Sequence, residues 1–147
     1  MNTMHDILEV KGHRVYTTTL SATVDEAAIE MSRVKVGALL VLDEEGQAAG
    51  ILSERDLLLR VLVAHRDPAV TTVGDVMTRS VFCIDADRSL SDAMGAMTYG
   101  RYRHLPVTEH GKVVGLVSIG DLVRAVNGDQ ERELLALHEY VEGRYPG

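Results

Sequence analysis

The chain has no tryptophan, one phenylalanine, three prolines and one cysteine among 147 residues. Without large aromatics, its core has to be packed with aliphatic side chains and methionine. The single Cys83 excludes an internal disulfide framework and suits a reducing compartment. No apolar stretch approaches the roughly 20 residues that a membrane-spanning helix needs. Positive charge is scarce too: 15 Lys and Arg against 22 Asp and Glu leave a formal net charge of −7. That balance argues against a broad phosphate-neutralising surface, and so against duplex nucleic acid as a partner. The opening MNTMHDILEVKG shows no basic stretch leading into an apolar one, so no secretory signal is read there. These absences predict an acidic, globular, cytoplasmic protein with no membrane or nucleic-acid partner. A hydrophobic share of 46% is enough for a sizeable core, in one domain or in two small halves sharing one.

What the chain does contain is a repeated phrase. Residues 50 to 56 read GILSERD and residues 115 to 121 read GLVSIGD, each followed by an apolar run. The match extends outward. Val10-Lys11 lies over Val76-Met77, Val15-Tyr16 over Val81-Phe82, and Thr23-Val24-Asp25-Glu26-Ala27 over Ser89-Leu90-Ser91-Asp92-Ala93. Ala38 to Val41 lies over His104 to Val107, and one residue is then lost where DEEG becomes EHG. A single deletion in an exposed turn is what a tandem duplication tolerates best. Two copies are too few for a solenoid, so two halves packed about a pseudo-twofold axis are expected.

Each half reads the same way locally. Thr23 with Glu26, and Ser89 with Asp92, form N-cap patterns that start a helix with Ala27, Ala28 and Met31, or Ala93, Met94 and Met97, on one face. Two aliphatic runs around a short acidic, Gly-containing loop follow, as in a β-hairpin. The run Leu57 to Val63 is apolar enough for a mostly buried helix, and its counterpart after Asp121 stops near Asn127-Gly128. The order per half is strand, helix, strand, strand, helix, an α/β (α+β) fold. The divisions are residues 7–63, a linker over 64–73, residues 74–127, and a tail over 128–147 whose Leu134, Leu137 and Val141 suit an amphipathic terminal helix.

The repeated Ser and Asp admit two uses. Asp is a good helix cap and Ser a good turn former, which accounts for either position taken singly. Alternatively both face a cleft, where a carboxylate accepts from two vicinal hydroxyls of a ribose and the helix N-terminus favours phosphate. Capping explains one such pair more easily than the same pair in both halves.

Two β-α-β-β-α units closed by GILSERD and GLVSIGD resemble a pair of CBS motifs, a Bateman module. DEAAIEM and SDAMGAM on the first helices, GALLVLDEEG, RHLPVTEHG and the lead-in VGDVMT carry the resemblance over residues 7 to 127. It implies a regulatory fold that binds adenosine-containing ligands (AMP, ADP or ATP, sometimes NAD(H) or S-adenosylmethionine) in two clefts. It also implies a homodimer and no required cofactor. Carried over residue by residue, it assigns Ser118 and Asp121 to one ribose, with Lys11, Tyr16, Val36, Gly37 and Ala38 around base and phosphate. Ser53 and Asp56 would serve the other, with Met77, Thr78, Phe82, Tyr102, Arg103 and His104. Arg55 and Arg101 add guanidinium groups to the Asp56 cleft, where the other has Gly120 and the cations Lys11, His13 or Arg14. The Asp56 cleft is therefore expected to bind phosphorylated adenosine more tightly. The first motif departs further from the family pattern, with Leu40 against Pro106 and Lys11-Gly12 against Met77-Thr78.

The remaining candidates are weaker. The six histidines lack metal-ligand spacing. Cys83 has no base near it in sequence and is expected in a buried strand. Met31, Met94 and Met97 read as helix core, and Arg101 and Arg103 as either a solvated face or a cleft rim. No nucleophile, base or metal set assembles, so catalysis is not expected. With no effector domain within these residues, regulation is expected to act in trans, on an unidentified effector protein. The rival is a dimeric interaction or scaffold protein with vestigial clefts.

Overall fold

The computed structural model describes residues 3–79 and 81–128; the amphipathic tail expected beyond them lies outside the described residues. The elements run α1 (Met4–Lys11), β1 (Thr17–Thr19), α2 (Val24–Val34), β2 (Ala38–Leu42), β3 (Ala48–Ser53) and α3 (Glu54–Leu57), which continues as a π-helical turn over Leu58–Leu62. The second half follows as α4 (Val73–Val76), β4 (Ile84–Asp85), α5 (Leu90–Gly100), β5 (His104–Glu109), β6 (Lys112–Ser118) and α6 (Ile119–Val126). Each half builds one three-stranded sheet, β1-β2-β3 and β4-β5-β6, with a parallel first pair and an antiparallel hairpin. Gly46 and Gly111 turn the hairpins at φ of +78° and +77°, a conformation that costs glycine little.

The capping boxes expected at α2 and α5 are present. Thr23 and Ser89 accept from the N–H of Glu26 and Asp92 at 3.1 and 3.0 Å, and each carboxylate returns to the cap N–H. Ala27 and Met31, with Ala93 and Met97, face the core as their spacing predicts. Leu39, Val41 and Leu52 point toward α2, while Ala38, Leu40 and Ile51 meet Val113 and Leu116 of the other sheet. A strand covered on both faces reads as an uninterrupted apolar run, and β2 is ALLVL for that reason.

Helix α1 is not among the expected elements, and it packs on the opposite half. Met4, Ile7 and Leu8 join Ile84, Ala93, Met97, Leu105 and Val107 in the second core. Val73 and Val76 of α4 join Val24, Ala27 and Leu39 in the first. The exchange is symmetric in the backbone: the N–H groups of Met4 and His5 donate to Arg88 and Ala86, and those of Val73 and Gly74 to Ala22 and Leu20. Each fully buried side chain adds roughly 1.5–3 kcal/mol, so the two lead-ins bind the halves together.

Two expectations are corrected. The apolar run after Asp56 is not mostly buried: Val61 is, but Leu58, Leu59, Leu62 and Val63 are between 46% and 68% exposed. Cys83 is exposed and lies just before β4 rather than in a buried strand.

Candidate functional site

Each repeated phrase ends a strand and opens a helix. Ser53 and Ser118 are the N-caps, and their Oγ atoms each accept from the N–H of Asp56 and Asp121 at 3.2 Å. The carboxylates return to the Ser53 and Ser118 N–H groups at 3.0 and 2.8 Å. The cap is thus the serine, not the aspartate, and the same box turns both Asp side chains toward a cleft. The first N–H of each helix donates to a facing loop, Glu54 to Gly37 and Ile119 to Arg103, both at 3.0 Å.

The phrase's glycine has its own purpose. A Cβ on Gly50 would stand 2.5 Å from the Thr78 carbonyl, and one on Gly115 would stand 2.5 Å from Leu8. Both glycines admit the lead-in of the other half. At Gly50 this closeness lets Ile51 and Thr78 exchange backbone hydrogen bonds at 3.0 and 2.9 Å.

The Asp56 cleft has a volume of about 450 Å³, within the range of small-molecule sites. Ser53, Arg55 and Asp56 line it from the first half, and Thr78, Phe82, Arg101, Tyr102, Arg103 and His104 from the second. Of the residues assigned to this cleft by resemblance, Met77 alone is not on its wall: its side chain is 3% exposed and packs in the first core. The reason is the alternation of the extended chain after α4, which turns Met77 inward and Thr78 outward. Phe82 and Tyr102 stack with centroids 5.7 Å apart. Tyr102 lies so close over Gly100 that any side chain there would collide with its ring. Asp56 is buried and held by neutral donors: Thr78 Oγ1 reaches Oδ1 at 3.1 Å and Ser53 Oγ reaches Oδ2 at 3.1 Å. Arg60 stands 3.8 Å away and gives its hydrogen bonds to the carbonyls of Val76 and Met77.

The Asp121 cleft, about 430 Å³, is lined by Lys11, Tyr16, Val36, Gly37, Ala38, Ser118 and Asp121, with Arg14 at its edge. Its carboxylate is held by cations. Lys11 Nζ donates to Oδ2 at 2.5 Å and Arg124 Nη2 to Oδ1 at 2.6 Å. Burial pushes the Asp121 carboxyl up, but the Lys11 bond and charge with the Ser118 bonds outweigh it and hold the group below the usual carboxylate range. His13 bonds Glu9 and the Val114 carbonyl and is absent from the cleft wall.

His104 and Gly37 line both clefts. Burial, then the charges of Lys11 and Arg103, lower the His104 pKa despite the opposing pull of Asp121 and Asp56, so the ring is neutral at neutral pH. Arg60, Arg124, Leu59 and Val81 are not among the residues expected at the clefts. The two arginines had a signal: they fall four and three residues after the repeated aspartates, within reach on a helix. Among the described residues, no three His, Cys, Asp or Glu side chains gather as a metal site would need, and no helix is long and apolar enough to cross a membrane.

The family model for the CBS domain matches residues 7–63 and 73–128. The mitochondrial CBS domain-containing protein CBSX3 of Arabidopsis thaliana is 36% identical over 151 residues, covering 97% of this chain and 73% of that protein. The solved structure of a protein with CBS domains from Burkholderia ambifaria superposes with a TM-score of 0.81 at 39% identity, over 87% of this chain and 96% of its own. A CBS-domain protein from Agrobacterium tumefaciens gives 0.78 at 35% identity, over 84% and 92%. With both halves matched, and relatives built the same way, the chain belongs to the CBS-domain family, as a tandem pair of a generally regulatory kind.

Proposed function

We propose that the chain is a regulatory adenine-nucleotide sensor whose Asp56 cleft takes a phosphorylated adenosine, AMP, ADP or ATP. The observation that carries this reading is one cavity that holds three matched chemistries. The Asp56 carboxylate is held by hydroxyl groups that a ribose diol can replace, the Phe82–Tyr102 stack offers a face for a base, and Arg55, Arg101 and Arg103 offer planar donors to phosphate. S-adenosylmethionine shares the adenosine but has no phosphate for the arginines, whereas NAD(H) carries a diphosphate. Occupancy would bias how the two halves sit on each other, through the exchanged α1 and α4, and a partner protein would read the result. The exposed apolar side chains that follow α3 and stand on α6 support assembly as a homodimer.

Isothermal titration with AMP tests the reading. Asp56→Ala removes the charged acceptor of the diol and is expected to weaken binding by about ten- to a hundredfold, since hydrogen bonds to charged groups are worth roughly 1.5–3 kcal/mol. Silence of the wild-type protein toward AMP, ADP, ATP, NADH and S-adenosylmethionine would instead support a scaffold with vestigial clefts.

A further inference from the structure

The two aspartates sit in the same capping box, yet their free valences differ. At Asp56 the partners from outside the box are a threonine hydroxyl at 3.1 Å and a guanidinium no closer than 3.8 Å. At Asp121 both carboxylate oxygens carry a cation, Lys11 on Oδ2 and Arg124 on Oδ1. Lys11 also donates to the Leu116 carbonyl, so its ammonium is fastened at two points on the cleft wall. The backbone explains why a lysine does this. Gly12 caps α1 at φ of +105°, a conformation open to glycine but strained for other residues, so a threonine matching Thr78 is disfavoured there. The last residue of the helix, Lys11, then supplies the donor. Helix α1 is in turn anchored by Met4, Ile7 and Leu8 in the second core, which holds Lys11 in place.

We infer that Lys11 is a built-in occupant of the Asp121 cleft, which closes that cleft to a ribose and limits the chain to one nucleotide, in the Asp56 cleft. The inference rests on the adenosine reading of the clefts given above. A diol must donate two hydrogen bonds to a carboxylate, and here its uncharged hydroxyls would have to displace an ammonium and a guanidinium already paired with that carboxylate. Lys11 is thus the residue that sets the specificity and the stoichiometry of the pair. Arg124 is the lesser obstacle, since its side chain is 76% exposed and can swing into solvent.

The test is AMP titration of the wild-type protein, Lys11→Met and Lys11→Ala, with light scattering to fix the chain concentration per particle. One AMP per chain in the wild type and two in Lys11→Met are expected, the second site abolished again by Asp121→Ala. Methionine is the residue found at the equivalent position 77, and retained binding at the Asp56 cleft reports that each variant is folded. Two sites in the wild type would overturn the inference and leave the Asp56 reading intact. One site in both lysine variants would also overturn it. No binding by the wild type with one site gained by Lys11→Met would uphold the closing of the Asp121 cleft by Lys11, and would overturn both the one-nucleotide stoichiometry and the Asp56 reading. No binding by any of the three would overturn both.

Discussion

Asp56 and Asp121 have the same side chain in the same local turn, and their partners make them different groups. Burial raises the folded-state pKa of Asp121, but the Lys11 bond and charge with the Ser118 bonds outweigh it and hold the group below the ordinary value of 3.8. As the pH falls, the unfolded chain therefore takes up this proton first. The stabilisation is complete above the unfolded value and is lost as the pH falls through the folded one. Urea midpoints should accordingly drop more steeply below about pH 5 in the wild-type protein than in Asp121→Asn, which has no such proton to gain. Parallel pH profiles for the two proteins would contradict the assignment. Lys11 carries the other half of this pair, and at this scale a lysine on Asp121 where Asp56 has a threonine makes two different groups of the same side chain.

At the scale of elements, the duplicated phrase is a joint. Its serine caps a helix, its aspartate completes the box, and its glycine lets the other half's lead-in pass close to the strand. An added methyl on Gly50 would meet the Thr78 carbonyl, which is backbone and cannot swing aside. Gly50→Ala should therefore destabilise by about 1–3 kcal/mol, as overpacking does, and weaken AMP binding by shifting Thr78 from Asp56. Gly95 in α5 has nothing within 4 Å of where its Cβ would be. Gly95→Ala should stabilise by roughly 0.5–1 kcal/mol through helix propensity alone. Opposite signs for two Gly→Ala changes in urea unfolding would locate the close approach; equal effects would exclude it.

For the whole molecule, the duplication yields two cores that each borrow a helix from the other half. Neither sheet is covered fully by its own segment, so the halves are interdependent. The pair still leaves apolar side chains outside. Leu58, Leu59, Leu62 and Val63 follow α3, and Ile119, Val123 and Val126 stand on α6, the equivalent element. If a second copy covers them, Leu62→Glu and Val123→Glu together should convert a dimer to a monomer by light scattering while the circular dichroism spectrum holds. A monomeric wild-type protein would rule out this use of the surface.

Much of this was legible in one dimension. Capping boxes, hairpins and the repeated phrase depend on residues a few positions apart, so their physics is written locally. Helices α2 and α5 with their capping boxes, and the two hairpins, therefore fell where the pattern placed them. The apolar run after Asp56 misled because hydrophobicity alone does not say whether a covering surface belongs to the same chain. Helix α1 is short, and half of what holds it, the core around Met97 and Leu105, lies far along the sequence. Met77 and Thr78 differ only in which side of an extended segment they occupy. The choice of cation for Asp121 is of the same kind: Lys11 is more than a hundred positions away from it, and only docking of α1 on the opposite half brings the two charges together.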